Sequence, residues 1–243
     1  MKAMILAAGL GTRLRPLTEI CPKALVEVAG RTPLEITLSR LRDCGVGEVI
    51  VNVHHFADMV VAYLRARENF GMKIEVSRED ILLDTGGGLK KAAWFFLRDP
   101  SPFILHNVDV VSTIDLGSMV RYHIENHALA TLAVQHRESS RQLLFDEHLQ
   151  LCGRRMRRDQ KTEWARTSQV AEELAFCGIH VISPALLTMM SEEGVFSIIK
   201  TYLRLAGQGE KLLAFRADEF YWRDLGTPES LVQAAEDLRE KGL

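Results

Sequence analysis

Gly9, Gly11, Thr12, Arg13 and Lys23 stand within one short stretch, directly after the apolar run Met4-Ile5-Leu6-Ala7-Ala8. Glycines lack a Cβ, so the backbone here can bend sharply and approach a ligand closely. Successive amides in such a turn can point at one anionic group. Arg13 can grip a phosphate bidentately, and Lys23 adds a compact fixed charge. Holding phosphate is the chemistry these residues suit. A second glycine element, Leu83-Asp84-Thr85-Gly86-Gly87-Gly88-Leu89, precedes a helical pattern. Bare backbone ahead of a helix N-terminus can accept a flat ligand. Two carboxylates stand apart from these loops: Asp109 in Asn107-Val108-Asp109, and Asp224 in Trp222-Arg223-Asp224-Leu225-Gly226-Thr227-Pro228-Glu229.

Elements that could position these groups follow from periodicity. Ala3 to Ala7 predicts a buried strand, and Ala24 to Val28 a short extended piece. Thr32-Pro33-Leu34-Glu35 is a capping box with proline at the first helical position. Leu34, Leu38 and Leu41 recur at helical spacing, and Gly45 closes that helix. Glu48 to Val53 reads as a strand, 57–67 as a helix and Lys73 to Val76 as a third strand. A helix bearing Leu89, Ala93 and Phe96 then leads to a strand over 103–106. Asn107 and Asp109 follow it, where open α/β sheets bind ligands. Asp115 caps a helix with Leu116, Met119 and Val120. Further strands are expected over 130–134, 143–145 and 175–182, with helices over 195–205 and from Pro228 to about 240. His54-His55 follows a strand; neighbours there face opposite ways, so chelation by both is not expected. This alternation predicts an α/β, Rossmann-like fold, with a mixed, mostly parallel sheet covered by helices on both faces.

Known phosphate loops narrow the reading. A dinucleotide fingerprint needs a third glycine where Leu14 stands, Pro16 breaks any early helix, and no acidic residue follows the second strand. A P-loop needs Gly-Lys-Ser/Thr, which is absent. The composite Leu6-Ala7-Ala8-Gly9-Leu10-Gly11-Thr12-Arg13, then Pro16-Leu17-Thr18, then Pro22-Lys23, resembles the sugar-nucleotide pyrophosphorylases in order and spacing. Leu83 to Gly88 resembles that family's nucleobase segment, Phe176 to Ile179 its sugar-bordering strand, and Tyr221 to Glu229 its final signature. The resemblance runs over residues 1–240.

It implies the nucleotide-diphospho-sugar transferase fold. One transferase domain spans 1–243, with nucleotide bound by about 1–110 and sugar phosphate by about 111–243. Residues 6–9 and 11–13, with Lys23, Thr85, Gly86 and Gly87, would bind the nucleotide. Asn107, Asp146 and Gly178 would border the sugar, and Asp109 and Asp224 would hold Mg²⁺. Arg13, Lys23 and Asp109 would be catalytic. Val108 replaces the family's usual glycine.

The implied substrates are an NTP and a sugar 1-phosphate, joined with release of pyrophosphate. A phosphocholine acceptor would want aromatic side chains for its quaternary ammonium, and aromatic content is 7%. A non-catalytic nucleotide-sugar sensor would not need a metal pair. The formal charge of −2 excludes a general affinity for nucleic acid or acidic membranes. Arg154 to Lys161 is read as a solvated loop beside the acceptor, since no aromatic platform is interleaved. Four scattered cysteines without metal spacing, no signal peptide and no membrane-length apolar run point to the cytoplasm.

Overall fold

The structure, a computed structural model, describes residues 1–158 and 161–241. Strand β1 (Lys2–Leu6) leads through 3₁₀ turns at Thr12–Leu14, Leu17–Glu19 and Lys23–Leu25 to α1 (Pro33–Asp43). Then come β2 (Glu48–Val53), α2 (Ala57–Ala66), β3 (Lys73–Arg78), α3 (Asp84–Lys91), β4 (Phe103–Asn107), β5 (Val110–Ser112), α4 (Leu116–Glu125) and β6 (Ala130–Gln135). The second half runs β7 (Arg141–Phe145), β8 (Leu151–Met156), β9 (Lys161–Trp164) and β10 (Glu172–Ile182). It ends with α5 (Ala185–Thr188), α6 (Ile198–Gly207), β11 (Leu212–Arg216), β12 (Trp222–Asp224) and α7 (Pro228–Lys241).

The near-continuous apolar strands lie at the centre, as strands buried on both faces must. The main sheet runs β3-β2-β1-β4-β10-β7-β8-β9, with β6 joining β10 to β11. β1, β2, β3 and β4 are parallel, whereas β10 is antiparallel to both β4 and β6. Alternate residues supply two cores. Met4, Ile50 and Leu105 pack with Leu89, Tyr202 and Leu205 on one face; Ile5, Val51 and Ile104 pack with Leu38, Val60 and Met119 on the other. A third cluster joins Leu14 and Val111 to Leu225, Leu231 and Leu238, fixing α7 against the turns that follow β1.

The predicted caps form. Thr32 Oγ1 accepts from the Glu35 amide at 3.1 Å, and Asp115 Oδ1 from Ser118 N at 2.9 Å. Thr227 Oγ1 accepts from Ser230 N at 3.2 Å. Two expectations need correction. Residues 23–25 form a 3₁₀ turn, closed by Leu25 N donating to Pro22 O at 2.8 Å, rather than extended chain. The basic stretch from Arg154 is largely a hairpin of β8 and β9. Alternation there sends Arg154 to Glu163 and Arg155 to Glu173, so the charges are paired across strands. Asp159 and Gln160 of that stretch lie outside the described residues.

The glycine triplet also differs from expectation. Gly86, Gly87 and Gly88 lie inside α3, fully buried, and do not precede it. Both Gly86 N and Gly87 N donate to Phe196 O, at 2.9 and 3.2 Å. An added Cβ would overlap Phe196 at Gly86 and the Gly194 carbonyl at Gly87; at Gly88 it would stand 2.7 Å from Glu79 Oε1. The triplet therefore lets α3 lie directly against the 194–196 segment. Gly87→Val should destabilise the fold by about 3 kcal/mol or more, a Tm decrease of about 6–12 °C. An unchanged melting curve would refute this packing role.

Candidate active site

The site lies at the C-terminal ends of β1, β2 and β4, where the parallel strands open. A cavity of about 350 Å³ is lined there by Leu6, Ala8, Gly9, Lys23, Asn52, Glu79, Leu82, Asp84, Thr85, Asn107, Val108, Asp109 and Val195. Gly9 has nothing within 4 Å of where a Cβ would stand, so its backbone faces open space. Gly11 is required differently. Its φ of 62° is left-handed, and a Cβ would come within 2.8 Å of Thr18 Cγ2 and 3.1 Å of Lys23 Cβ. Thr18 closes the loop by donating to Gly11 O at 2.8 Å. Leu14, buried in the third cluster, anchors the turn that presents Thr12 and Arg13 to solvent.

Lys23 and Asp109 form an ion pair, with side chains 9% and 24% exposed. Asp224 is brought to them by the pairing of β12 with β5, which sets Asp224 opposite Val110; Leu225 N then donates to Asp109 O at 2.8 Å. Arg13 Nη2 stands 3.6 Å from Asp224 Oδ1. Burial, and then the charge of Asp109, hold the Asp224 carboxyl above its ordinary range, against the opposing pull of Lys23 and Arg13. Two carboxylates and two cations thus converge, on segments far apart in the chain. The site further gains Arg137, close enough to Asp224 to feel its charge. Its guanidinium stacks 3.7 Å over the Trp222 ring.

A second cavity, of about 440 Å³, meets the first along Asp84, Thr85 and Asn107 and extends to Arg141, Arg154, Phe176 and His180. Asn107 and Thr85 therefore stand between the two spaces. Thr85 also accepts from Ile198 N at 3.0 Å, tying α3 to α6. Val108, in place of the family glycine, is 4% exposed within the core, and its amide donates to Leu6 O at 3.1 Å.

Five residues expected in the site are placed otherwise. Gly86 and Gly87 are absent from the linings of both cavities, because their faces are filled by residues 194–196. The Ala7 amide is already donated to Asn52 Oδ1 at 2.7 Å. Asp146 closes the β7–β8 turn: it accepts from His148 N and Gln150 N, both at 2.9 Å, and pairs with Arg166. Gly178, at φ 75° beside a register shift in β10, leaves room for the Asn107 amide, which would be 2.8 Å from any added Cβ. Its effect on the cleft is through Asn107.

Asn52 and Glu79 were not expected in the site. Glu79 is 4% exposed and accepts from Asn52 Nδ2 at 2.6 Å and Leu83 N at 2.9 Å. The sequence signal was a polar residue at each end of adjacent parallel strands, Asn52 in β2 and Glu79 just after β3.

Such a sheet, with a glycine turn after β1 and two neighbouring carboxylates brought together by β5 and β12, is the frame of an α/β nucleotide-binding transferase. The family model described as nucleotidyl transferase matches residues 2–143. The chain belongs to this family and is a nucleotidyltransferase. It is 35% identical, over 98% of its length and 97% of the relative's, to N-acetylmuramate alpha-1-phosphate uridylyltransferase of Caulobacter vibrioides. Identity to mannose-1-phosphate guanylyltransferase of Mycobacterium tuberculosis is 30% over 97% of this chain, which spans 64% of that relative's length. UDP-glucose pyrophosphorylase from Acinetobacter baumanii shares the fold, with a TM-score of 0.79 at 16% identity, covering 98% of this chain and 92% of that one. Among the described residues, no helix is long and apolar enough to cross a membrane.

Proposed function

We propose that the chain transfers a uridylyl group from UTP to the 1-phosphate of an N-acetylmuramate-type sugar, releasing pyrophosphate. The convergence of Lys23 and Asp109, which line the first cavity, with Arg13 and Asp224 carries this reading. The likeness to the Caulobacter enzyme, over nearly the whole of both chains, supports it. An oxygen of the sugar phosphate attacks the α-phosphorus while the bond to the bridging β-oxygen breaks, and pyrophosphate leaves with that electron pair. The attacking oxygen is already ionised, so no general base is required. Arg13 and the amides of the Gly9–Thr12 turn hold the departing phosphates, and Lys23 offsets charge at the α-phosphate. Catalysis is then alignment with charge neutralisation.

The donor set fits Mg²⁺. Asp109 and Asp224 are hard oxygen ligands held near one another, and the raised Asp224 carboxyl is what a cation between them would relieve. With two protein carboxylates, such an ion would complete its shell with substrate phosphates and water. When bound, the ion supplies Lewis-acid stabilisation of phosphoryl charge. We place the reaction in the cytoplasm, where the four free cysteines stay reduced. The two parts, about 1–110 and 111–243, act as one catalytic unit.

Glu79 favours a base with a ring N–H, uracil or guanine, over cytosine, and the likeness to the uridylyltransferase selects uracil. A carboxylate accepts from the ring N–H of uracil, whereas cytosine presents a lone pair at that nitrogen. Pyrophosphate release from four NTPs against several sugar 1-phosphates tests the function. The kcat/KM for UTP should exceed that for CTP by at least about 100-fold, a modest figure for a site built around a substrate N–H. Glu79→Gln should narrow that ratio. Equal use of CTP would remove Glu79 from base selection.

A further inference from the structure

We propose that Arg141, with Arg154 beside it, reads a carboxylate carried by the sugar of the acceptor. This rests on the reading that the cleft joins a nucleotide to a sugar 1-phosphate.

The hairpin register sets the geometry. Arg141 pairs with Met156 and Leu143 with Arg154. Side chains alternate along strands, so these four residues share one face. That face is a wall of the second cavity. Leu143, Met156 and Phe176 offer apolar surface to a sugar ring, and the two guanidinium groups supply the charge.

The arginines of this hairpin are not equivalent. Arg155 is paired with Glu173, on the other face. Arg157 donates to Gln142 Oε1 at 3.2 Å and lies 3.8 Å from Glu138. Arg154 is shared with Glu163, at 2.8 Å from Nε and 2.7 Å from Nη2. Arg141 is exposed, and among the described residues its guanidinium has no hydrogen bond or ion pair; only its backbone bonds to Ser139. The acidic side chain of the cavity lining is Asp84, on the wall shared with the nucleotide cavity. A planar fork without a partner among the described residues, on the wall of a substrate cavity, matches a carboxylate bidentately. A sugar bearing only hydroxyl and acetamido groups would leave it unused. A single unshared fork suits one carboxylate better than a second, doubly charged phosphate.

Acceptors of equal size separate charge from shape: N-acetylmuramate 1-phosphate and the same compound with its carboxylate converted to the primary amide. Wild type should favour the acid by at least about tenfold in kcat/KM, the scale of one hydrogen-bonded charge. Arg141→Gln should bring the two within about threefold, mainly by raising KM for the acid. Arg154→Gln should produce a smaller shift, because Glu163 already shares that group. Arg141 lies on the surface, so folding of its variant is not at risk, and a thermal melt checks it. An acid-to-amide ratio unchanged by Arg141→Gln overturns the proposal. So does wild-type turnover of neutral sugar 1-phosphates in preference to the acid, or of a sugar bisphosphate above it; both leave nucleotidyl transfer standing. No pyrophosphate release with any acceptor overturns the functional reading and this proposal together.

Discussion

Asp109→Asn and Asp224→Asn are each expected to lower kcat by at least about 100-fold, the scale of one preorganised electrostatic group, yet to move stability in opposite directions. Asp109 is the partner of Lys23, whose side chain is 9% exposed. Removing the Asp109 charge leaves that ammonium desolvated and unpaired. The cost should be about 1–3 kcal/mol, below the full buried-pair value because the cleft is open to water. Asp224 behaves oppositely. Its carboxyl is held above the ordinary range, by burial first and then by Asp109, so the folded state binds its proton more tightly than the unfolded chain does. Ionised Asp224 therefore costs stability at neutral pH. Asparagine removes that cost and keeps the Oδ1 that accepts from Gly226 N at 2.8 Å. The Tm of Asp224→Asn should equal or exceed that of wild type at pH 7. Any advantage should fade below about pH 4, where both states of wild type are protonated. In activity the double variant should be little worse than either single, since the two groups act as a unit. Chelation should abolish wild-type turnover, and Mg²⁺ or Mn²⁺ should restore it. Pyrophosphate release and thermal melts across pH read all of this. Near-normal turnover in both single variants would end the two-carboxylate reading.

Lys23→Ala is expected to reduce kcat/KM by about 2–4 kcal/mol. Two effects add: the α-phosphate loses its neutralising charge, and Asp109 is left facing Asp224 without its cation. Arginine should not rescue, because the Lys23 side chain is 9% exposed where it pairs with Asp109, and a planar guanidinium is larger than the compact ammonium it would replace. Arg13→Ala provides the contrast. Its side chain is 65% exposed and its pair with Asp224 is 3.6 Å long, so its loss should cost under about 1 kcal/mol of stability. Activity should nonetheless fall, with KM for the nucleotide rising. Lys23→Ala turning over like wild type would remove the turn after β1 from the phosphate site.

Much of this protein is written locally. The apolar run of β1, the capping Thr32, Asp115 and Thr227, and the left-handed Gly11 are each specified within a few residues, because strand alternation, helix capping and φ preference act over one or two turns of chain. The charge and bare backbone of Gly9, Gly11, Arg13 and Lys23, on which the proposed phosphate site rests, are legible for the same reason: charge and missing side chains belong to the residue itself. What a glycine leaves room for does not. Gly9 faces open space, whereas Gly86, Gly87 and Gly178 face Phe196, Gly194 and Asn107, and nothing nearby in sequence separates those cases. Asp146 was equally ambiguous until Arg166 and the turn amides claimed its oxygens. The short ladder of β5 with β12 is what sets Asp224 beside Asp109, and parallel pairing of β2 with β3 puts Glu79 against Asn52. These are long-range pairings, fixed by which buried faces can be covered together, so only the tertiary structure decided which polar groups share the cleft.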